Sequence, residues 1–285
     1  MGFRTLFDSR SAAGACEHAQ PKASVNPTLS NQHSRSGNRA YTASVMDPFA
    51  SMLLLTTASG SCILIGGLIA KVERIRPLWL EQEFRHTIIA FGGGVMMAAI
   101  AFVLVPEGQE YFRSPILGVM LFLLGGLVFM LLERYLSARK RELPQTIAML
   151  LDFIPESLAM GGMFALGSAS APLLAIFIGL QNVPEGFNAY REIVAVVGDR
   201  KHRTASIMFF MILPGPIAGT LGWYIAPSFP EIIGATMLFA SGGILYLLFQ
   251  DIAPQSRLDR HWAPTLGAVV GFCLAWIASL LVISH

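Results

Sequence analysis

The amino-acid sequence predicts an all-α polytopic membrane protein with eight transmembrane helices in a 3+2+3 arrangement, in which helices 1–3 and 6–8 form an inverted repeat. Of its 285 residues, 54% are hydrophobic and 13% are charged, whereas soluble globular proteins contain about 25% charged residues. The apolar residues form successive segments of bilayer-spanning length, about 20 residues each. This composition excludes a soluble enzyme. The three scattered cysteines exclude a disulfide-rich secreted module, and the net charge of +2 gives no reason to expect nucleic acid as a partner.

Residues 1–45 form a polar tail whose composition differs from that of the rest of the chain. The tail is rich in Ser, Ala, Asn and Gln, holds five of the 20 lysines and arginines, and lacks the apolar core of a signal peptide. Low hydrophobicity with scattered charge predicts disorder. Two other interpretations stay open, a targeting segment and a start site misassigned upstream of Met46. We therefore separate this tail from a transmembrane domain, residues 46–285.

Apolar segments follow one another after Met46, and each has the length of a membrane-spanning helix. The loops between these segments are short and carry nearly all of the charged residues. The predicted helices, one to eight, cover residues 49–70, 86–105, 115–133, 143–167, 172–190, 204–226, 232–252 and 262–284.

The basic residues of the loops predict the orientation of the domain. Alternate loops, at 71–85, 134–142, 191–203 and 253–261, hold 14 lysines and arginines, whereas the opposite loops hold only Arg113. Because cytoplasmic loops are enriched in basic residues, these four loops should lie in the cytoplasm and both termini should be extracytoplasmic. The plasma (inner) membrane is the expected location.

Two pairs of segments repeat within the domain. Residues 91–108 (FGGGVMMAAIAFVLVPEG) align without a gap with residues 239–256 (FASGGILYLLFQDIAPQS) at an offset of 148. These predicted helices, two and seven, run in opposite directions, which is typical of the inverted repeats of transporters. Residues 151–157 (LDFIPES) likewise match residues 180–186 (LQNVPEG). We interpret the glycines of the first pair as helix-packing positions.

Polar residues cluster in the middle of predicted helices four and five. Asp152 and Glu156 are four residues apart and therefore share one helix face, and Gln181 and Glu185 repeat this spacing beside Asn182. Each pair flanks a proline, which frees a backbone carbonyl one turn earlier.

Three carboxylates in the middle of membrane helices cost about 2.5–3.5 kcal/mol each on insertion scales. No lysine or arginine lies within the apolar segments to neutralise them. The carboxylates must therefore be protonated, contact water or bind a cation. A polar clamp that joins the two helices is the alternative, but three acids and two amides in a duplicated Pro-Glu pattern favour a cation site.

At these motifs the chain resembles the ZIP (Zrt-, Irt-like) divalent metal transporters, which carry Pro-Glu motifs in neighbouring helices four and five. The resemblance spans Met46 to the C-terminus and implies eight helices with both termini outside. Carried over position by position, it implies a metal site whose ligands are Asp152, Glu156, Gln181, Asn182 and Glu185.

The chain departs from the family pattern at several of these positions. Asp152 and Gln181 stand where histidines are common, and Phe153 stands in place of an asparagine. Family members with two adjacent metals often carry a glutamate before the proline of helix six, where this chain has Gly215. These departures predict a single metal site made only of oxygen ligands.

An all-oxygen site suits harder ions such as Mn²⁺, Fe²⁺ or Mg²⁺, whereas the family resemblance implies zinc, iron or manganese. Both inferences stay open, and no cofactor is expected besides the transported metal. Glu107 and Asp251, at the ends of helices two and seven on opposite membrane faces, are candidate pathway acids for entry and exit. Solvation at the membrane interface is their alternative role.

These features predict transport of a divalent metal toward the cytoplasm by alternating access, with the ion held between helices four and five. The expected partners are the metal ion and the lipid bilayer, with a homodimer as one option. A non-transporting homologue that binds metal and signals is the alternative. An intramembrane enzyme is less favoured, because all six histidines lie in the tail, the loops or the helix ends.

Overall fold

The computed structural model describes residues 47–72, 78–138, 144–198, 201–258 and 261–283. The predicted polar tail, residues 1–45, lies outside the described residues. The described part of the chain is helical and contains no β-strand. Its helices are α1 (Pro48–Val72), α2 (Leu78–Ala99, continuing to Glu110), α3 (Pro115–Ala138), α4 (Pro144–Ala165), α5 (Ala171–Val197), α6 (Lys201–Phe210 and Pro214–Ile225), α7 (Pro230–Leu247, continuing to Ser256) and α8 (Ala263–Ile283).

Seven helices of the described residues are long and apolar enough to cross a membrane, so the chain is an integral, multi-pass membrane protein. The helix outside this set is α5, although its 27 residues exceed the length that a bilayer requires. Four polar side chains in the middle part of α5 lower its hydropathy: Gln181, Asn182, Glu185 and Asn188.

The second helix begins earlier than its apolar core predicts. The sequence places its start at residue 86, whereas α2 begins at Leu78 and includes Glu81 and Glu83. A carboxylate in the first turn interacts favourably with the positive end of the helix dipole. In addition, Glu81 pairs with Arg191 of α5 at 2.9 Å. These contacts stabilise a charged helical turn that hydropathy alone assigns to a loop.

The two helices whose sequences align at an offset of 148 residues, α2 and α7, each contain a π-helical segment. These segments are Ile100–Leu104 in α2 and Leu248–Ile252 in α7. The two segments occupy equivalent positions at this offset. Each precedes a proline by a few residues, Pro106 or Pro254. A proline ring clashes with the carbonyl four residues earlier, and a π-segment accommodates that clash by widening the helix. The sequence alignment therefore corresponds to a shared backbone irregularity.

The sixth predicted helix is broken in its middle. One part ends at Phe210 and the next begins at Pro214, with a turn between them. Pro214 and Pro216 both lack a backbone N–H, and a proline in the first turn of a helix leaves no donor unsatisfied. The two prolines therefore start a new helix where the hydropathy pattern predicts a continuous one.

Glycines bring four pairs of helices into backbone contact. A Cβ atom added at any of these glycines would overlap a carbonyl of the neighbouring helix, so the close approach requires glycine. The contacts join α1 with α5, α4 with α6, α2 with α8, and α3 with α7: Gly66 with Val183, Gly222 with Leu158, Gly94 with Ala268, and Gly242 with Phe122. The interpretation of Gly94 and Gly242 as packing positions is confirmed.

The helices of each glycine-mediated pair run parallel, because residue numbers rise together along the contact. In the pair of α2 and α8, Gly267 meets Thr87 and Gly271 meets Phe91, one turn further along both helices. In the pair of α4 and α6, Gly215 meets Phe153, and Gly222 meets Leu158.

The helices differ greatly in burial, and this difference locates the core. Only 17% of the apolar window of α3 and 22% of that of α8 are buried, compared with 67% for α2 and 61% for α7. The peripheral helices α3 and α8 therefore present apolar side chains to the bilayer. The α4 and α5 helices, which carry the predicted site, lie among α1, α2, α6 and α7.

Candidate functional site

The predicted ligands lie on two adjacent helices and are enclosed by the protein. Asp152 and Glu156 of α4 are 1% and 0% exposed, and Gln181 and Asn182 of α5 are 1% and 0% exposed. Glu185 is partly exposed as a residue, but neither of its carboxylate oxygens is accessible to solvent. All five predicted residues therefore place polar atoms inside the transmembrane domain.

Two hydrogen bonds hold part of this set in place. The Gln181 side chain donates from Nε2 to Oε2 of Glu156 at 2.7 Å, which joins α5 to α4. The Asn182 side chain donates from Nδ2 to the Ser59 carbonyl of α1 at 2.9 Å. These bonds are of the kind that the polar-clamp interpretation predicts, and they fix the orientation of both amides.

Most of the oxygen atoms in the cluster have no hydrogen-bond partner. Burial of a polar atom without a partner costs about 1–3 kcal/mol, and more for a charged group. A simple clamp would pair these atoms, whereas a cation site leaves oxygen atoms available to a ligand. The unpartnered oxygens are Asp152 Oδ1, Glu156 Oε1, Gln181 Oε1, Asn182 Oδ1, both carboxylate oxygens of Glu185, and Asn188 Oδ1.

Asp152, Glu156 and Glu185 are close enough that their charges would repel one another when ionised. Within the described ranges, however, no three His, Cys, Asp or Glu side chains are arranged so that they alone could hold a metal. A cation bound here would therefore need further oxygen ligands, such as side-chain amides, backbone carbonyls or water.

A cavity of about 50 Å³ reaches two of the predicted ligands. Its walls come from α2, α4, α5 and α7, and its polar lining consists of Asp152, Glu185, Asn188 and Asp251. Glu156, Gln181 and Asn182 do not line it. The structure thus divides the predicted set into two residues that face the cavity and three that lie in the hydrogen-bonded layer beside it.

The two predicted pathway acids have different surroundings. Asp251 of α7 lines the cavity together with Asp152 and Glu185. Glu107 lies near the C-terminal end of α2, away from the part of α2 that lines the cavity. It accepts a hydrogen bond of 3.1 Å from the Ser168 hydroxyl. Burial, together with Glu107 and Glu110, raises the pKa of the nearby Tyr111 hydroxyl. The structure brings Asp251, but not Glu107, to the candidate site.

Phe153 is buried beside the candidate site and packs against Gly215 and Gly60. Its side chain is 1% exposed. A Cβ atom at Gly215 would lie 2.5 Å from Cζ of the Phe153 ring, and one at Gly60 would lie 3.2 Å from the same atom. A glutamate at position 215 would overlap the ring. The two departures from the family pattern, Phe153 and Gly215, are thus complementary in shape.

Asn188 is the cavity residue that the sequence prediction omits. It follows Glu185 by three residues and therefore lies on the same face of α5. This spacing was visible in the sequence, but Asn188 falls outside the duplicated Pro-Glu segment on which the prediction was based.

A contact between α4 and α5 lies at one end of the site. Oε2 of Glu192 accepts hydrogen bonds from the backbone N–H of Thr146 at 2.8 Å and from its hydroxyl at 2.6 Å. The carboxylate thereby satisfies a backbone donor in the first turn of α4, which has no partner within its own helix. This contact stabilises the relative position of the two helices that carry the site.

Comparisons of the sequence with protein-family models and with curated proteins give no match.

Proposed function

We propose that this protein carries a divalent metal ion across the membrane toward the cytoplasm by alternating access, with the ion held between α4 and α5. The observation that carries the proposal is the group of buried oxygen atoms without hydrogen-bond partners on these two helices. A protein that encloses so many unsatisfied acceptors loses stability unless they bind a ligand. A cation is the ligand that carboxylate and amide oxygens favour together.

The proposal includes eight membrane spans, with α5 as the eighth. Helices α4 and α6 are both apolar and long enough to cross, and they run parallel. The chain between two parallel spans must cross the membrane once more. The intervening α5 is about 40 Å long at 1.5 Å per residue, which suffices for that crossing.

The proposed 3+2+3 arrangement is supported by matching contacts in the two outer groups of helices. Gly94 of α2 meets Ala268 of α8, and Gly242 of α7 meets Phe122 of α3 in the same way. In each pair the partner helix also contributes a glycine: Gly271 of α8 meets Phe91 of α2, and Gly125 of α3 meets Phe239 of α7. The π-segments of α2 and α7 occur at the same offset. Repeats of this kind are typical of transporters that expose one central site to each side in turn.

The position of the cavity supports release of the ion on the cytoplasmic side. It is lined by Ala148 and Met149 in the first half of α4 and by Asp251 near the end of α7. These ends lead into the loops that hold most of the basic residues, which should be cytoplasmic. The cavity therefore lies between the candidate ligands and the proposed cytoplasmic side.

The oxygen ligands set an expectation for the ion. Carboxylate and amide oxygens are hard ligands, which favour Mn²⁺ or Fe²⁺ relative to sites that contain imidazole or thiolate. Family resemblance to the ZIP transporters keeps zinc within the proposed class. We therefore expect uptake of an ion of the zinc, iron and manganese class, with manganese and iron favoured.

Uptake by the purified full-length protein in liposomes tests the proposal. Wild-type vesicles should accumulate Mn²⁺, Fe²⁺ or Zn²⁺, and Asp152→Asn and Glu185→Gln should each reduce the rate at least tenfold. Each substitution keeps the side-chain shape but removes a negative charge that offsets dehydration of the ion. Glu231→Gln, at an exposed acid in the first turn of α7, is the matched control and should transport normally.

The same experiment separates transport from the alternative. The two hydrogen bonds of Gln181 and Asn182 favour a fixed, non-transporting site. Metal binding without uptake would support that alternative and contradict transport. Absence of both binding and uptake would contradict any cation function.

A further inference from the structure

We propose that Asn188 is a ligand of the transported ion, and that Asp152, Glu185 and Asn188 together hold it on the cavity side of the site. This inference rests on the proposed function and specifies which residues contact the ion. It also assigns a role to a residue that lies outside the duplicated motif.

The burial of Asn188 is the first observation behind this assignment. The side chain is 9% exposed, and its Oδ1 atom is inaccessible and has no hydrogen-bond partner. An amide oxygen in this position is under-solvated unless a ligand reaches it. Asn188 also lines the cavity, so its surroundings are open to a small ion or to water.

The arrangement of the cavity residues is the second observation. Glu185 and Asn188 lie one turn apart on α5, and Asp152 lies opposite them on α4. These three residues line one cavity, whereas Glu156 is outside it and already accepts a hydrogen bond from Gln181. An ion in the cavity therefore meets the oxygen atoms of Asp152, Glu185 and Asn188, together with Asp251 of α7, before it reaches Glu156.

Charge balance gives this set a chemical advantage. Two ionised carboxylates neutralise a divalent cation, and the neutral amide adds a third oxygen without adding charge. A set made of Asp152, Glu156 and Glu185 would instead keep a net negative charge in a low-dielectric interior, which is costly.

Three variants test the assignment in liposomes and in detergent. Asn188→Leu removes the oxygen at similar side-chain size, and Asn188→Asp retains an oxygen ligand. Thr204→Val is the control, because Thr204 is 2% exposed and its hydroxyl is also unpartnered, but it does not line the cavity. The Mn²⁺ dissociation constant is measured in detergent by electron paramagnetic resonance of the free ion, in parallel with the KM and maximal rate of uptake.

The expected result is a selective loss of affinity. Asn188→Leu should raise the Mn²⁺ dissociation constant and KM at least tenfold, whereas Thr204→Val should change the dissociation constant less than threefold. Asn188→Asp keeps an oxygen ligand but adds a charge, and it should bind Mn²⁺ at least threefold more tightly than Asn188→Leu. If the wild-type protein transports Mn²⁺ and the dissociation constant of Asn188→Leu is within twofold of the wild-type value, Asn188 is not a ligand. The proposed function would stand in that case. If the wild-type protein binds Mn²⁺ without transporting it, the ratio of the Mn²⁺ dissociation constants of Asn188→Leu and the wild-type protein decides whether Asn188 is a ligand. If the wild-type protein neither binds nor transports metal, both proposals are wrong.

Discussion

Substitution of Gly215 by alanine measures how tightly Phe153 closes the space beside the site. The added Cβ would lie 2.5 Å from Cζ and 3.1 Å from Cε1 of the ring, and 3.2 Å from the Thr56 carbonyl oxygen. Rotation of the ring about its Cβ–Cγ bond cannot relieve this overlap, because Cζ lies on the rotation axis, and the ring also packs close to Gly60. The methyl group must therefore displace a buried side chain or a helix.

The size of the effect follows from comparison with a second glycine. Gly179→Ala, on α5, places its Cβ at an ordinary distance of 3.4 Å from the nearest atom, Sγ of Cys62. Since both changes add the same methyl group within a helix, most of the helix-propensity gain cancels between them. The remaining difference is the cost of overpacking, about 1–3 kcal/mol. At about 2–4 °C per kcal/mol, Gly215→Ala should unfold about 2–12 °C below Gly179→Ala.

Thermal unfolding in detergent, followed by circular dichroism, provides the measurement. Combining Gly215→Ala with Phe153→Leu should recover at least 1 kcal/mol relative to the sum of the single changes, because the shorter side chain vacates the overlap. If Gly215→Ala is as stable as Gly179→Ala, the ring does not fill this space. The prediction of a single metal site would then lose the support that this packing gives it.

Three further predictions concern the site, the orientation and the tail. Asp152→His replaces a hard oxygen ligand with imidazole and should raise the ratio of Zn²⁺ to Mn²⁺ uptake about tenfold, equivalent to about 1.4 kcal/mol; an unchanged ratio in a competition assay would exclude Asp152 from the ligands. In a chain without its native cysteines, a cysteine at Ser114 should react with an impermeant thiol reagent on intact cells and one at Arg257 should not; the reverse pattern would invert the proposed orientation. A chain that starts at Met46 should insert and transport at the wild-type rate, and loss of insertion would show that the tail directs topology.

Hydropathy patterns predicted the helical class and most of the membrane-spanning segments well, because those patterns reflect the bilayer itself. They failed where a local contact outweighs hydropathy. The start of α2 at Leu78 depends on the pairing of Glu81 with Arg191 of another helix. The break after Phe210 depends on two prolines, and apolar residues on both sides of it conceal the interruption. Contacts between distant segments and backbone irregularities leave little trace in a hydropathy pattern.

The candidate site was only partly predictable for a related reason. Spacing along one helix places Asp152 with Glu156 and Gln181 with Glu185, and both pairs have side-chain oxygen atoms that are inaccessible to solvent. Spacing does not reveal which of these residues face a cavity, since the answer depends on α2 and α7. Gly92 of α2, for example, has no side chain and allows Pro184 to approach, where a Cβ would lie 2.7 Å from the proline Cγ. The division of the predicted ligands into two layers comes from this packing.

The helix least suited to a membrane by composition, α5, is one of those most enclosed by protein. About half of its residues are buried, including Gln181, Asn182 and Asn188, whereas α3 buries only 17% of its apolar window. A helix that faces lipid must be apolar around its circumference, but an enclosed helix can carry polar groups if they find partners or ligands. The residues that lower the hydropathy of α5 are thus the ones that supply oxygen atoms to the candidate site. Low hydropathy within a series of regularly spaced apolar helices therefore points to the segment that carries the candidate site, and a criterion based on hydropathy alone omits that segment.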